Sequence, residues 1–302
     1  MPVPTASQIS TALADSHWPA QAVESVKSIV TGGDFAGVLT AKQVDDLLRD
    51  TSLTQPEVML ALTKIASLYA LPPISRFFVG AVACGVTGNL YFGCNLEYVG
   101  QPLSFCSHAE QGATTNAWLH DEPGMSSLAV SAAPCGYCRQ YLYETASAST
   151  LKIILSGQTT ALTDLLPLAF GPSLGIGGGL LDPQSNRLKL ATPSSDPAVL
   201  AALDAANICY APHTKSFSGI GLLMNDGATF RGPLAENAAY NPSQSPLQAA
   251  LFAMHIAGYE FADISEVALV EVQNPLVSQL DASRAVLHAV CSLPITYAPA
   301  VH

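Results

Sequence analysis

The chain has 302 residues, of which 49% are hydrophobic and only 12% carry a charge. This length and apolar content predict two domains of ordinary size. The net charge of −11, from 12 Lys and Arg against 23 Asp and Glu, disfavours nucleic-acid binding, which needs a basic face. It equally disfavours an anionic membrane surface or a heavily phosphorylated substrate as a partner.

Seven cysteines are scattered without the spacing of a disulfide framework, and no basic region followed by an apolar run opens the chain. Both features predict a reducing, cytoplasmic location. Two uncharged runs, 165–181 and 238–259, contain prolines, glycines or amides, so neither is predicted to span a membrane.

Residues 1 to about 70 are predicted to be helical. Thr40-x-x-Gln43 and Thr54-x-x-Glu57 are capping-box patterns. An apolar stripe at helical spacing follows the second box until Pro72-Pro73 ends it, and we expect that stripe to face the core.

Strand-like and helical segments alternate from Phe77 onward. Apolar runs over 77–83 and 90–92 flank a glycine-rich turn and predict a hairpin. Strands over 128–133 and 151–155 and a short helix over 159–166 follow. This alternation predicts an α/β fold in which helices cover both faces of a sheet. Five glycines between 171 and 179 predict a linker.

Three candidate metal ligands, His108, Cys135 and Cys138, lie within this alternating region, and Glu110 follows the histidine by two residues. Three protein ligands leave the fourth position of a catalytic zinc ion free for water, whose pKa zinc lowers to about 7. Glu110 is close enough to act on that water as a base and then as an acid. Pro134 before the Cys-x-x-Cys pair predicts a helix start, where thiolates are favoured.

Neither half of this pattern is specific when taken alone. A Cys-x-x-Cys pair also occurs in redox sites and in structural zinc sites, and His-x-Glu alone indicates almost nothing. Together and in this order they match the signature of zinc-dependent nucleobase deaminases, which favours a catalytic over a structural zinc site.

The second half of the chain repeats the first. At a constant offset of 139 residues, three glycines and one glutamate recur, which indicates an internal duplication: Gly80, Gly88, Gly93 and Glu97 become Gly219, Gly227, Gly232 and Glu236. One residue is then dropped, so the histidine and its glutamate become Pro246 and Gln248. Both cysteines are replaced as well. We therefore expect the second copy to bind no zinc and to be inactive, with a structural role for Glu236.

The motifs "FGCNLEYVG", "HAEQGA" and "PCGYCRQ", with "AENAAYNP" in the second copy, resemble those of homodimeric, double-domain cytidine deaminases of enteric bacteria and plants. The resemblance runs from about Pro56 to the C-terminus. It implies a duplicated α/β/α three-layer sandwich with a mixed sheet, divided into a helical region over 1–53, a catalytic domain over 54–175 and a degenerate domain over 185–302. It also implies hydrolytic deamination of free cytidine and deoxycytidine to uridine and deoxyuridine, as in pyrimidine salvage.

The resemblance further implies one zinc ion per chain, held by His108, Cys135 and Cys138, with Glu110 as the proton shuttle. This chain departs from the bacterial pattern at Ala132 and Ala133, where those members have larger polar residues.

For the substrate, the resemblance implies that Asn95 and Glu97 bind ribose and that Phe77 packs against the pyrimidine. On the residues alone, turn chemistry is the better interpretation of the first two, and a core position for Phe77 is as well supported as a substrate contact. In this family the degenerate domain closes the partner subunit's site, which makes Ala239 and Tyr240 candidates to touch the substrate across the dimer interface. The Tyr240 hydroxyl, absent from the family's phenylalanine, needs a partner or water.

Arg139 is expected either to be solvated or to donate hydrogen bonds to the two thiolates. The remaining cysteines are expected to be small buried apolar residues: Cys84, Cys94, Cys106, Cys209 and Cys291.

Two competing functions follow from the same residues. A deaminase that edits RNA or DNA would need a basic groove and aromatic platforms, which the net charge disfavours. A non-catalytic, zinc-stabilised scaffold would have no use for Glu110.

Overall fold

The computed structural model describes residues 3–171 and 178–302, so most of the predicted linker, 172–177, lies outside the described residues. The N-terminal region contains three helices and a two-residue strand: α1 (Ala6–Leu13), α2 (Ala20–Val30), β1 (Val38–Leu39) and α3 (Ala41–Thr51). The capping box at the start of α3 is confirmed, since the Thr40 amide donates to Gln43 Oε1 at 2.8 Å.

The first copy of the α/β unit follows, and its elements are α4 (Gln55–Ala66), β2 (Gly80–Gly85), β3 (Leu90–Cys94), α5 (Ala109–Leu119), β4 (Met125–Val130), α6 (Gly136–Leu142), β5 (Lys152–Leu155), β6 (Gln158–Ala161) and α7 (Leu162–Leu165). Its strands form a mixed sheet in the order β1-β3-β2-β4-β5-β6, in which only β4 and β5 run parallel. The second predicted capping box begins α4, where the Thr54 amide donates to Glu57 at 2.8 Å.

The second copy repeats this succession with α8 (Pro197–Ile208), β8 (Ser218–Met224), β9 (Thr229–Pro233), α9 (Pro246–Ile256), β10 (Ile264–Val272), α10 (Leu280–Val290) and β11 (Ile295–Val301), preceded by the short β7 (Lys189–Leu190). Its sheet has the order β7-β11-β10-β8-β9 and pairs only β10 with β11 in parallel. The predicted duplication is therefore visible in the order of the elements.

Two glycines establish the three layers of the first copy. A Cβ on Gly80 would lie 2.0 Å from the Thr63 carbonyl of α4, and one on Gly93 would lie 2.2 Å from the Ala109 carbonyl of α5. Gly93 pairs with Ala81, the neighbour of Gly80. Because successive strand residues face opposite sides of a sheet, α4 and α5 cover opposite faces, which confirms the predicted α/β/α sandwich.

The same relation recurs in the second copy, where Gly219 faces α8 and Gly232 faces α9. Gly232 pairs with Ile220, next to Gly219, so these two helices also lie on opposite faces. In both copies the missing side chain lets a helix backbone rest directly on the sheet.

Two predicted segments differ from the structure. Residues 77–79 precede β2 and lie in a loop, so the first strand of the hairpin begins three residues later than predicted and ends at Gly85. The predicted helix over 159–166 is largely wrong. Gly157, at φ +81°, turns the chain back so that β6 pairs antiparallel with β5, and only the four residues of α7 are helical.

The two copies share a core. Gly112 of α5 packs against the ring of Phe252 of α9, and His255 of α9 contacts the Tyr69 carbonyl through Nε2 at 2.6 Å. Leu180, just beyond the predicted linker, is buried in the core of the first copy. None of the helices in residues 3–171 and 178–302 combines the length and apolar content needed to cross a membrane.

Candidate active site

The two helices that carry the predicted metal ligands begin beside each other. His108 is the N-cap residue of α5 and Cys135 is the N-cap residue of α6. His108 Nδ1 lies 3.1 Å from Cys138 Sγ and 3.6 Å from Cys135 Sγ, and the two sulfurs are 3.6 Å apart. Within the described parts of the chain, no other three His, Cys, Asp or Glu side chains are grouped closely enough to share a metal ion.

These separations fit a tetrahedral zinc site. Zinc lies about 2.3 Å from a sulfur ligand and about 2.05 Å from a nitrogen ligand. In a tetrahedral site these bond lengths place two sulfurs roughly 3.8 Å apart and a nitrogen and a sulfur roughly 3.6 Å apart. The observed distances between the three ligand atoms match these values or are shorter by at most about half an ångström. A soft His/Cys/Cys donor set is also one that zinc prefers, so the residues present fit the metal.

The electrostatics of the cluster favour a thiolate. A hydrogen bond from the Cys138 thiol, supported by His108, lowers the pKa of Cys135 to about 3. The same hydrogen bond, together with burial, raises the pKa of Cys138. The cluster therefore favours the thiolate at Cys135, and zinc ligation by Cys138 would require loss of its thiol proton.

Glu110 lies in the first turn of α5 and is only 4% exposed. Burial raises the pKa of its carboxyl, because a low-dielectric environment disfavours the charged form. A carboxyl with a raised pKa is suited to accept a proton in one step and to release it in the next.

Arg139 behaves in neither of the two expected ways. Its guanidinium donates from Nε to the Pro134 carbonyl at 2.9 Å and from Nη1 to the Leu165 carbonyl at 3.0 Å. It is half-buried and ties the start of α6 to the end of α7. The backbone beside the cysteines offered acceptors that a sequence pattern does not reveal.

A cleft of about 260 Å³ opens beside the metal-ligand cluster. It brings together most of the predicted site residues, and its lining comprises Ser75, Phe77, Val79, Asn95, Glu97, Cys106, Ser107, His108, Ala109, Glu110, Ala132, Ala133 and Cys135. Cys106 was expected to be simply buried, yet it is half-buried and lines the cleft. Ser75 and Val79 were not predicted, and their nearness to Phe77 in the sequence is the one local signal that could have indicated them.

Asn95 and Glu97 both line the cleft and both hold the loop before β2. Asn95 Oδ1 accepts from the Val79 amide at 2.9 Å, and Asn95 Nδ2 donates to the Phe77 carbonyl at 3.0 Å. The Ile74 and Ser75 amides each donate to Glu97 at 2.9 Å, and the Ser75 hydroxyl donates to its other oxygen. Asn95 and Glu97 therefore stabilise a turn, as the sequence allowed, and they also line the cleft.

The charge of Glu97 follows from these contacts. Burial opposes ionisation, but the donors from Ser75 and Ile74 outweigh it and hold the pKa of Glu97 below its usual value. Glu236 occupies the same place in the second copy, where the His213 and Thr214 amides donate to it at 2.9 and 3.1 Å. That is the structural role expected of Glu236.

Phe77 is 59% exposed and lines the cleft, so it is not a core residue. Ala239 and Tyr240 lie in the loop after β9 and do not line the cleft of their own chain. Tyr240 is 68% exposed and has a φ of +60°. A bulky residue in that conformation is uncommon.

Comparison with known proteins agrees with this geometry. The family model described as the "Cytidine and deoxycytidylate deaminase zinc-binding region" matches the chain twice, over residues 54–153 and 162–284. A protein named cytidine deaminase from Photorhabdus laumondii is 43% identical over 277 residues, covering 91% of this chain and 94% of its own. One of the same name from Shewanella loihica is 42% identical over 266 residues, covering 87% and 89%.

A third such protein, from Photobacterium profundum, is 40% identical over 285 residues and covers 93% of this chain and 96% of its own. The resemblance inferred from the motifs is thereby confirmed. With two matching regions in one polypeptide and relatives aligned over nearly their whole lengths, the chain belongs to the cytidine deaminase family as a double-domain member.

Proposed function

We propose that this chain is a zinc-dependent enzyme that hydrolytically deaminates free cytidine and deoxycytidine to uridine and deoxyuridine with release of ammonia. The observation that carries the proposal is the cleft itself. It combines a His/Cys/Cys cluster whose ligand atoms lie within 4.8 Å of one another with a buried carboxyl and two polar side chains suited to a sugar.

His108, Cys135 and Cys138 would hold the metal, one ion per chain. When bound there, zinc supplies a Lewis acid that activates water near neutral pH. The protein contributes the fixed positions of the three ligand atoms, which two helix starts hold before the ion arrives.

Glu110 moves the protons in this proposal. Net hydrolysis forms a C4–O bond, breaks the C4–N bond of the exocyclic amine and turns water plus cytidine into uridine plus ammonia. Glu110 takes a proton from the attacking water and gives it to the ring nitrogen. It then carries the second proton of that water, released as the C4 hydroxyl becomes a carbonyl, to the leaving amine. Its burial supports this role, because each transfer is made without competition from bulk water.

Asn95 and Glu97 would bind the ribose hydroxyls. Their present hydrogen bonds to the loop over 74–79 pre-organise both side chains. Each oxygen has further lone-pair capacity for a hydroxyl donor. Phe77, exposed on the same cleft, would pack against the pyrimidine.

We also propose that two chains form a homodimer in which the degenerate copy of each closes the partner's cleft through Ala239 and Tyr240. Large apolar side chains are exposed on the loops beside the cleft, among them Phe78, Val99 and Leu103. Phe78 and Val99 line a second cavity that shares Glu97 with the cleft, and exposed apolar side chains grouped in this way mark an interaction surface. The division into 1–53, 54–175 and 185–302, and a cytoplasmic location, remain part of this proposal.

The competing functions fit less well. The described residues that line the cleft include Glu97 and Glu110 but no Lys or Arg, which is unsuited to the phosphates of RNA or DNA. A purely structural zinc site would not be expected to place a buried carboxyl in an open cleft.

The test is metal analysis of the purified chain together with a cytidine assay followed by ultraviolet absorbance. We expect one zinc per chain, loss of cytidine and release of an equal amount of ammonia. A zinc-loaded chain that turns over neither cytidine nor deoxycytidine would overturn the proposal.

A further inference from the structure

The structure corrects the predicted correspondence between the two copies, because His108 and Ser245 are the N-cap residues of α5 and α9, so His108 corresponds to Ser245 and Glu110 to Leu247. Gln248 corresponds to Gln111, the capping-box residue of α5. It occupies the third position of α9 and is 5% exposed. Its Oε1 accepts from the Ser245 amide at 2.9 Å, which caps its own helix. Its Nε2 points into the first copy, where it donates to the Phe105 carbonyl at 2.6 Å and lies 3.4 Å from the Cys106 carbonyl.

Those two carbonyls belong to the segment that leads directly into His108. Ser107, the next residue, exchanges two backbone hydrogen bonds of 2.9 Å with Leu96, which lies between Asn95 and Glu97. Cys106, Ser107 and His108 all line the cleft. The segment over 105–108 is thus held by its own copy on one side and by Gln248 on the other.

A second glutamine of the degenerate copy reaches the same region. Gln244 is fully buried, and its Oε1 accepts from the Thr115 hydroxyl at 2.7 Å and the Tyr141 hydroxyl at 3.0 Å. Thr115 lies on α5 and Tyr141 on α6, the helices that begin beside His108 and Cys135. One amide oxygen of the second copy therefore links the two helices that carry the metal ligands.

A glutamate could not replace the glutamine at position 248 without losing one of its contacts. An ionised carboxylate accepts hydrogen bonds but donates none, so a glutamate there would face two carbonyl oxygens with negative charge. An amide keeps the helix cap and adds the donor that those carbonyls need. The amide of Gln248 therefore serves its own helix cap and the contact to the first copy at the same time.

We propose that Gln248, with Gln244, is a positioning residue for the metal-ligand cluster of its own chain. This role is separate from closing the partner's cleft and acts within one polypeptide. It rests on the proposed function, because it concerns the zinc site assigned there.

The test compares Gln248→Glu with Gln8→Glu. Gln8 holds the same position in the capping box of α1, where its Oε1 accepts from the Thr5 amide at 2.8 Å, and its side chain is exposed. Both variants keep the cap acceptor and add one negative charge, but only the first loses a donor to the carbonyls of the segment that precedes His108. Two readouts are used: the rate at which a chelator removes zinc from the loaded enzyme, and amide hydrogen exchange of the metal-free chain.

Removing a side chain that orients a metal ligand typically costs 10–100-fold in metal affinity. We expect zinc release from Gln248→Glu to be about 10-fold faster or more, and release from Gln8→Glu to match the wild type. In the metal-free protein, Gln248→Glu should lose protection over 103–108 while β8 keeps it, which separates a local effect from global unfolding. Gln248→Met, uncharged and of similar length, serves if the glutamate variant does not fold, and the same changes are expected.

Wild-type zinc release and wild-type exchange over 103–108 in either folded variant would overturn the positioning role. Equal loss of protection in β8 would do so as well, because the effect would then be general. A wild-type chain that retains no zinc would instead refute the proposed function, so the two failures are distinguishable.

Discussion

Substituting Gly93 by alanine should displace the helix that carries the proposed acid/base. Gly93 lies in β3, directly beneath the first turn of α5. An alanine Cβ there would lie 2.2 Å from both the Ala109 carbonyl oxygen and the Ala113 amide nitrogen. These are backbone atoms and cannot rotate away, so the strand and the helix must separate.

The size of the displacement follows from the same distances. Ordinary contacts of a Cβ begin at 3.4 Å, so a start at 2.2 Å requires a separation of about 1.2 Å. Overpacking of this kind costs about 1–3 kcal/mol of unfolding free energy. A misplacement of about 1 Å at a catalytic group can cost on the order of 100-fold in rate. We therefore expect kcat/KM for cytidine to fall by about two orders of magnitude.

Gly221→Ala is the matched control. Its Cβ would lie 2.0 Å from the Ala198 carbonyl of α8 in the second copy, a helix that carries no residue of the site. Thermal unfolding and steady-state kinetics of both variants should show similar losses of stability but a loss of kcat/KM only in Gly93→Ala. If the two variants lose activity equally, or Gly93→Ala retains wild-type kcat/KM, the proposed link between helix position and turnover is wrong.

Three further predictions concern the site and the contact between copies. Glu110→Gln should keep zinc and fold but lose about 10²–10⁴-fold in kcat, measured by cytidine turnover beside a zinc count; substantial remaining turnover would remove Glu110 from the mechanism. Glu144→Ala should lower the unfolding temperature, because Glu144 accepts from the Tyr210 hydroxyl and the Ala238 amide at 2.9 Å each, and each buried donor left unpaired costs about 1–3 kcal/mol. Glu144→Gln keeps an acceptor and should lose less stability. Equal unfolding temperatures for the wild type and Glu144→Ala would argue against the contact. A chain ending near residue 185 should be inactive, not half as active, since the cores of the two copies are continuous; a soluble, active truncation would contradict this.

The metal-ligand cluster was predictable from the sequence because its chemistry restricts both residue type and spacing. Only a few side chains bind zinc, and a helix start places Cys135 and Cys138 on one side, so a short pattern carries most of the information. The duplication was predictable for a related reason. Positions such as Gly93 and Gly232 tolerate no side chain where a helix backbone rests on a strand, and so they remain recognisable in both copies.

Contacts distant in the chain were not predictable in the same way. β1 has two residues and exists because it pairs with β3 about fifty residues later. Most of the helix predicted over 159–166 does not form, because β6 pairs with β5 instead. The sequence comparison placed Gln248 opposite Glu110, whereas the structure pairs it with Gln111, and nothing local indicated that the amides of Gln248 and Gln244 reach the other copy. The conformation of such segments is determined by tertiary contacts and not by local propensity.

The packing of Gly112 against Phe252 has a consequence for how the protein responds to dilution. Both partners belong to one polypeptide, so their association is intramolecular and has no dependence on protein concentration. Contacts between two separate chains follow mass action and weaken as the protein is diluted. At low concentration each chain would therefore retain the contacts of Gln244 and Gln248 with its own first copy, while the proposed contribution of a second chain to its cleft would be lost.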